Sequence, residues 1–245
     1  MPFTFAHPAI LLPWRNWSGR WVSWTGLILG SMSPDFEYFL RMRVESNYSH
    51  TLSGLLWFNL PLPFILAVLF HILIRNPTID HLPHGLGERL NSYKDFQFVH
   101  YLKKHWHIFA LSVVMGSFSH LAWDAFTHQQ GFFVERLPVL QYHFSFRGFH
   151  FPVYKVLQHL STVVGFVCIG YFTWKMPTKP VEPSFRKFRF WVSIAVLMTA
   201  ILVIRLLTGL ALEQTGHWIA TGISGGCIAL LVTCLFAKDK PSQST

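Results

Sequence analysis

Residues 217–236 read HWIATGISGGCIALLVTCLF, a run of 20 positions that contains no Asp, Glu, Lys or Arg. A helix needs about 20 predominantly apolar residues to cross the ~30 Å hydrocarbon core of a membrane. Four further stretches of similar length are also strongly apolar, at 54–74, 106–126, 156–174 and 190–212. The sequence therefore predicts an all-α polytopic membrane helix bundle with about five transmembrane helices.

The composition also favours a membrane protein. Of the 245 residues, 51% are hydrophobic and 17% aromatic, whereas only 13% are charged, which lies outside the usage of soluble domains. Tryptophans lie at or near the ends of the apolar stretches, where their rings are stabilised at the level of the lipid headgroups. We expect residues 1–245 to form a single integral-membrane domain whose surroundings are membrane lipids.

The charge of the chain does not indicate a nucleic-acid partner. The formal net charge is +9, but the Lys and Arg residues are spread over several connecting segments instead of one element. Twelve of them lie on the side of the predicted C-terminus and seven on the opposite side. Because positive charge prefers the cytoplasm, we expect a cytoplasmic C-terminus. The three cysteines lie inside apolar stretches without the spacing of a disulfide framework or a thiolate site.

Two segments outside the spans have their own patterns. In 1–53, the N-terminal interfacial segment, Trp14, Trp17, Trp21 and Trp24 recur at three- and four-residue steps, which places them on one helical face. Such a helix lies either in the membrane interface or packed on the bundle. The segment 76–105 carries prolines and glycines typical of turns and is expected to be a polar loop.

The stretch SHLAWDAFTH, residues 119–128, carries the clearest candidate chemistry. His120 and Asp124 are four residues apart near the end of the second span, so they share a helical face and can bind one metal ion. The alternative is that they only hydrogen-bond to other helices. His128 repeats the step, but eight residues of helix rise about 12 Å. His128 can therefore bind the same ion as His120 only if the helix breaks. Otherwise it would bind a second ion.

Other ionisable residues are predicted on the same side of the membrane, where they are costly and therefore candidates for function. The full set of candidate metal ligands is His7, Asp35, His50, His120, Asp124 and His159. The two carboxylates are also the candidate catalytic residues, and Lys155, Arg41 and Arg147 are candidates for binding an anionic headgroup. Each candidate also has a structural explanation. Asp35, for example, lies in SPDFEYF, which is typical of a helix start.

Several of these motifs together resemble a bacterial family of membrane proteins catalogued as a domain of unknown function. The motifs are MPFTFAHPA, GSMSPDFEYF, SHLAWDAFTH and YKVLQHLST. That family is distantly similar to the membrane-bound metal-dependent hydrolases of the YdjM type. The resemblance implies a bacterial cytoplasmic membrane protein and assigns metal-binding roles to His7, Asp35, His50, His120 and Asp124. The helix also resembles that of zinc-dependent phospholipase C, but its order, His-x-x-x-Asp-x-x-x-His, departs from that pattern.

Imidazole and carboxylate ligands without thiolate favour zinc, with manganese or iron as alternatives. Such an ion acidifies water for attack on a phosphoester or ester. A site where two spans end suits a lipid or lipid-linked substrate. We therefore expect a membrane-bound metal-dependent hydrolase with its site on the outer face. The alternative is a non-enzymatic membrane protein: a transporter, a haem or metal binder, or a scaffold with a structural polar cluster.

Overall fold

The computed structural model describes residues 3–17, 21–146, 148–181, 186–211 and 213–237. Within these residues, five helical stretches are long and apolar enough to cross a membrane. They are Gly54–His81, Phe98–Arg136, Val153–Trp174, Lys187–Leu207 and Thr215–Phe236. The expected all-α polytopic membrane bundle is therefore confirmed.

The individual elements are numbered in chain order. The α-helices are α1 (Trp24–Met32), α2 (Phe36–Arg41), α3 (Gly54–Trp57), α4 (Pro61–Leu69), α5 (Arg75–His81), α6 (His84–Leu90), α7 (Phe98–Thr127), α8 (Phe132–Arg136), α9 (Pro138–Gln141), α10 (Val153–Trp174), α11 (Lys187–Leu207) and α12 (Thr215–Phe236). There are 3₁₀-helices at Thr4–Trp17, Ser33–Asp35 and Asn91–Asp95, and a π-helical turn at Phe70–Ile74. A short antiparallel hairpin pairs β1 (His143–Phe146) with β2 (Phe149–Pro152).

The chain divides into two compact units. The first consists of Met1–Phe36, Asn47–Ile65 and Tyr101–Thr173, and the second of Glu37–Ser46, Leu66–His100 and Trp174–Thr245. The first unit contains the N-terminal 3₁₀-helix, α1, most of α7 and nearly all of α10. The second contains most of α2 together with α5, α6, α11 and α12.

Glycines allow α1 and α7 to pack backbone against backbone in the first unit. A Cβ added at Gly30 would lie 2.2 Å from the carbonyl oxygen of Val113, and one at Gly116 would lie 2.3 Å from that of Leu27. Gly26 and Gly30 are four residues apart, the spacing of small residues that brings membrane helices close together. The two helices are therefore held in one relative position by contacts that no larger residue permits.

The N-terminal 3₁₀-helix packs on this helix pair. Leu11 is fully buried in a cluster with Val22 and Leu27, and Trp14 and Trp24 pack against it. Residues 21–23 are not helical and 18–20 lie outside the described residues, so the tryptophans do not share one continuous helix. Packing on the bundle is the alternative that these contacts favour for this segment.

In the second unit, small residues of α12 hold the segment Glu37–Ser46. Ser224 Oγ donates a hydrogen bond to the carbonyl of Phe39 at 2.5 Å, and Thr221 Oγ1 donates one to that of Met42 at 3.2 Å. Helices α11 and α12 pack beside each other, and a Cβ added at Gly225 would lie 3.4 Å from Ile201 Cγ2. Hydrogen bonds from serine and threonine are a common means of holding segments together in membrane proteins.

Three boundaries differ from those expected from the sequence. The segment 76–105, expected to be a polar loop, contains α5, α6 and a 3₁₀-helix, and α7 begins at Phe98 and kinks at His105. The fourth span ends at Leu207 instead of 212, because Gly209 adopts a φ of +103° just beyond it, as helix-terminating glycines do. The first span is interrupted before Pro61, where the proline cannot supply a backbone donor.

Candidate metal centre

Five of the six predicted ligands lie together in the first unit. The N-terminal 3₁₀-helix carries His7, the turn after α1 carries Asp35, the link before α3 carries His50, and α7 carries His120 and Asp124. All but His50 are buried, and the His50 side chain is 23% exposed. We call these five residues the His–Asp cluster.

The nitrogen and oxygen atoms of the cluster have separations that suit a shared cation. His120 Nε2 lies 3.2 Å from Asp124 Oδ2 and 3.6 Å from Asp35 Oδ1. His50 Nε2 lies 3.5 Å from Asp35 Oδ1 and 3.8 Å from Asp124 Oδ2. Direct N–H···O hydrogen bonds are about 2.7–3.2 Å long, whereas tetrahedral ligands about 2.0–2.1 Å from one zinc ion lie about 3.4 Å apart. Three of these four separations are longer than a hydrogen bond and are close to those within a ligand shell.

The cluster contains two overlapping sets of three ligand atoms. One set is His7, Asp35 and His120, and the other is His50, His120 and Asp124; within each set all ligand atoms lie within 4.8 Å of one another. The rings of His7 and His120 stack with centroids 3.8 Å apart. Because His120 belongs to both sets, it is the residue on which any bound ion depends most.

Several atoms of the cluster are buried without a hydrogen bond. They are Nε2 of His7, Oδ1 of Asp35, Nε2 of His120 and both carboxylate oxygens of Asp124. A buried polar or charged atom without a partner is costly. A divalent cation bound by either set of ligand atoms would give several of these atoms a partner, so the donor set fits such an ion.

The orientation of His120 is set by the backbone of α1. Its Nδ1 donates a hydrogen bond to the carbonyl oxygen of Ser31 at 2.7 Å, so in the neutral ring Nε2 carries the lone pair and faces the cluster. A carbonyl partner on the far ring nitrogen is the usual outer contact of a metal-binding histidine. Ser31 directly follows Gly30, so the close packing of α1 on α7 places this carbonyl.

Thr4 and Ser49 support two other members of the cluster. Thr4 Oγ1 donates a hydrogen bond to Asp35 Oδ2 at 2.5 Å, which leaves Oδ1 facing the cluster. His50 Nδ1 lies 3.1 Å from Ser49 Oγ, so its Nε2 is directed at the carboxylates. Neither Thr4 nor Ser49 was predicted from the sequence, because a hydroxyl that orients a ligand follows no fixed spacing.

Substitution of Gly30 by alanine is expected to destabilise the first unit, because the new methyl group would collide with the backbone at Val113. Overpacking of this kind costs about 1–3 kcal/mol, which lowers the melting temperature by about 5 °C. The matched control is Gly170→Ala on α10, where a Cβ meets nothing within 4 Å. Thermal unfolding in detergent compares the two variants, and equal melting temperatures would contradict the close contact.

Two members of the cluster outside the spans have shifted pKa values. Burial, together with the neighbouring His120, lowers the pKa of His7 to about 3. Burial alone would raise the pKa of Asp35, but the adjacent His120, His50 and His7 outweigh it and hold this pKa below its usual value. At neutral pH His7 is therefore neutral and Asp35 ionised, the forms in which both groups bind metals.

His128 lies beside the cluster but in neither set of ligand atoms. Its Nδ1 is 3.1 Å from the carbonyl oxygen of Asp124 and 3.4 Å from Asp124 Oδ1. Its Nε2 is buried without a hydrogen-bond partner. The helix α7 ends one residue earlier, at Thr127. His128 is therefore placed to contact Asp124.

The structure does not bring His159 into the cluster. His159 is exposed on α10, whereas the preceding residue, Gln158, is buried. Lys155, on the first turn of α10, is exposed and its Nζ donates a hydrogen bond to Gln158 Oε1 at 2.9 Å. The side of α10 that packs into the protein therefore carries Gln158, whereas the metal-ligand prediction requires it to carry His159.

Arg41 and Arg147 were both predicted to bind an anionic headgroup. Arg41 lies in the second unit, where its guanidinium is 2.9 Å from the buried carboxylate of Glu37. Much of its charge is therefore already paired. Arg147 lies outside the described residues, and its role stays a prediction.

Comparison with known proteins identifies the class of this chain. Residues 1–235 match the family described as Domain of unknown function (DUF4184), so nearly the whole chain is covered. This chain belongs to that family, and the expected membership of a family of unknown function is confirmed. Neither the comparison with curated proteins nor that with solved structures gave a match. The similarity to YdjM-type hydrolases stays a prediction.

Proposed function

We propose that this protein is a membrane-bound metal-dependent hydrolase that cleaves a phosphoester or ester bond of a lipid or lipid-linked substrate. The observation that supports the proposal most is the set of nitrogen–oxygen separations between 3.2 and 3.8 Å among buried ligand atoms. Three imidazoles and two carboxylates without thiolate favour zinc, with manganese or iron as alternatives. When bound, such an ion supplies Lewis acidity and lowers the pKa of water.

The two carboxylates are suited to different roles. Asp35 is fully buried and fixed through Oδ2 by Thr4, so it suits a rigid ligand. Both oxygens of Asp124 are without a hydrogen bond, which leaves one of them able to take a proton from water as a general base. The three histidines direct Nε2 toward these carboxylates and would hold the ion.

The cell membrane and the orientation are part of the same proposal. We place the protein in the bacterial cytoplasmic membrane with the C-terminus inside and the cluster near the outer face, on the distribution of Lys and Arg. Lys155, exposed at the start of α10, is available to attract an anionic headgroup at that level.

Two geometric observations favour a small cation over a haem or a purely structural polar cluster. The stacked rings of His7 and His120, 3.8 Å apart, leave no space for a haem between them. A purely structural cluster would be stabilised by satisfied hydrogen bonds, whereas His7 Nε2 and Asp124 Oδ1 are buried 3.8 Å apart without one.

Removal of the metal is expected to abolish hydrolysis and to lower the melting temperature, because a ligand that binds only the folded state stabilises it. Protein in vesicles is assayed against phosphoester and ester lipids before chelation, after chelation and after zinc is restored. The proposal predicts loss and recovery of both activity and stability. Activity that persists after complete chelation would contradict it.

A further inference from the structure

An apolar cleft of about 350 Å³ adjoins the His–Asp cluster in the first unit. Its walls come from three elements: the N-terminal 3₁₀-helix with Ala9, α7 with Trp123, and α10 with Leu160, Val164 and Cys168. His7 also lines the cleft and is at the same time a member of the cluster. The cleft and the candidate metal centre therefore share a residue.

The lining of the cleft offers almost no polar group to a ligand. The one hydroxyl among the lining residues, that of Ser161, donates its hydrogen bond to the carbonyl of Leu157 at 2.5 Å. The Nε2 atom of His7 lies 3.8 Å from Asp124 Oδ1 and so belongs to the cluster. The cleft therefore suits a hydrocarbon chain, with a polar group beside His7.

The cleft lies along a helix that is expected to face lipid. Helix α10 is one of the spans, and Leu160, Val163 and Val164 are each at least half exposed. In a membrane such residues contact lipid chains, so a chain can enter the cleft sideways from the bilayer. This route needs no transfer of the chain through water, which costs about 0.8 kcal/mol per CH₂ group.

We propose that the cleft binds one acyl chain of a glycerophospholipid and so directs the adjoining ester or phosphoester bonds toward the His–Asp cluster. A glycerophospholipid fits because its ester bonds join its hydrocarbon chains to the glycerol and its phosphoester bonds lie a few atoms farther on, as the cluster adjoins the cleft at His7. The binding of the acyl chain is argued from the cleft alone. The placement of the bond for cleavage also rests on the proposed hydrolase function.

The test compares two identical substitutions on the same helix. Val164→Trp fills the cleft, whereas Val167→Trp places the same ring on a residue that is 65% exposed and does not line it. Detergent-purified proteins are incubated with dioleoylphosphatidylglycerol, and the bound lipid is counted by native mass spectrometry. We expect wild type and Val167→Trp to retain one lipid and Val164→Trp to bind it about tenfold more weakly or worse, because several methylene groups lose their burial.

Equal retention by the two tryptophan variants, or no retention by the wild type, would overturn the proposal. Leu160→Trp, at another half-exposed position of the cleft wall, repeats the measurement if Val164→Trp does not fold. A His120→Ala, Asp124→Asn variant should still retain the lipid, since neither residue lines the cleft. Its retention, measured beside its metal content, separates a failure of chain binding from a failure of the hydrolase proposal.

Discussion

Replacement of Asp124 by asparagine is expected to reduce hydrolysis by about 10³-fold, the middle of the range for loss of a general base. Asparagine keeps the size of the side chain but removes its charge and its ability to accept a proton. Both oxygens of Asp124 are buried without a hydrogen bond and lie within 3.8 Å of three histidine nitrogens in the His–Asp cluster. The substitution therefore removes both a metal ligand and the group that accepts a proton from water.

The rate is measured in vesicles at saturating zinc, with the lipid that the wild-type protein hydrolyses. Asp95→Asn is the matched control, because Asp95 is an exposed aspartate that pairs with Lys179 at 2.9 Å in the second unit. We expect the control to keep the wild-type rate. If Asp124→Asn kept it as well, Asp124 would have no part in the reaction.

Replacement of His120 by alanine is expected to weaken zinc binding by more than about 100-fold, because even the loss of an outer contact costs 10- to 100-fold. His120 is the one residue that both sets of ligand atoms contain. The same change at His159 should leave the affinity unchanged, since His159 is exposed on α10 and is in neither set. Competition against a zinc chelator in detergent measures both affinities.

This pair also decides between the sequence prediction and the structure. Both histidines were predicted as ligands, although only His120 lies in the clearest candidate motif and is assigned a metal-binding role by the resemblance. Equal losses in His120→Ala and His159→Ala would show that α10 turns its other face to the cluster. No loss in either variant would show that zinc does not bind at the cluster.

The spans could be predicted from sequence because their length and lack of charge have a single physical cause, the thickness of the hydrocarbon core. The residue at which each span ends depends instead on local backbone geometry. Nothing in the apolar pattern indicated that the fourth span ends at Leu207, where Gly209 takes a positive φ. The helices within 76–105 were missed because short helices rich in polar residues and prolines have the composition of a loop.

For the candidate site, sequence reasoning predicted which residues lie on one side of the membrane but not which way each helix is turned. Consecutive residues on a helix are about 100° apart, so His159 and Gln158 differ in facing although both are near the start of α10. In a membrane the lipid-facing side of a helix is as apolar as the side that packs against other helices. Hydrophobic periodicity therefore does not show which residues of α10 point inward. The carbonyl of Ser31 was missed because a backbone atom has no residue-specific signature.

Metal content tests the central claim most directly. Elemental mass spectrometry is applied to detergent-purified wild-type protein and to a His120→Ala, Asp124→Asn variant whose folding is checked by circular dichroism. The metal centre predicts stoichiometric zinc, manganese or iron in the wild type and its loss in the folded variant. An absence of metal from both proteins after reconstitution would contradict it and would leave the His–Asp cluster a structural one.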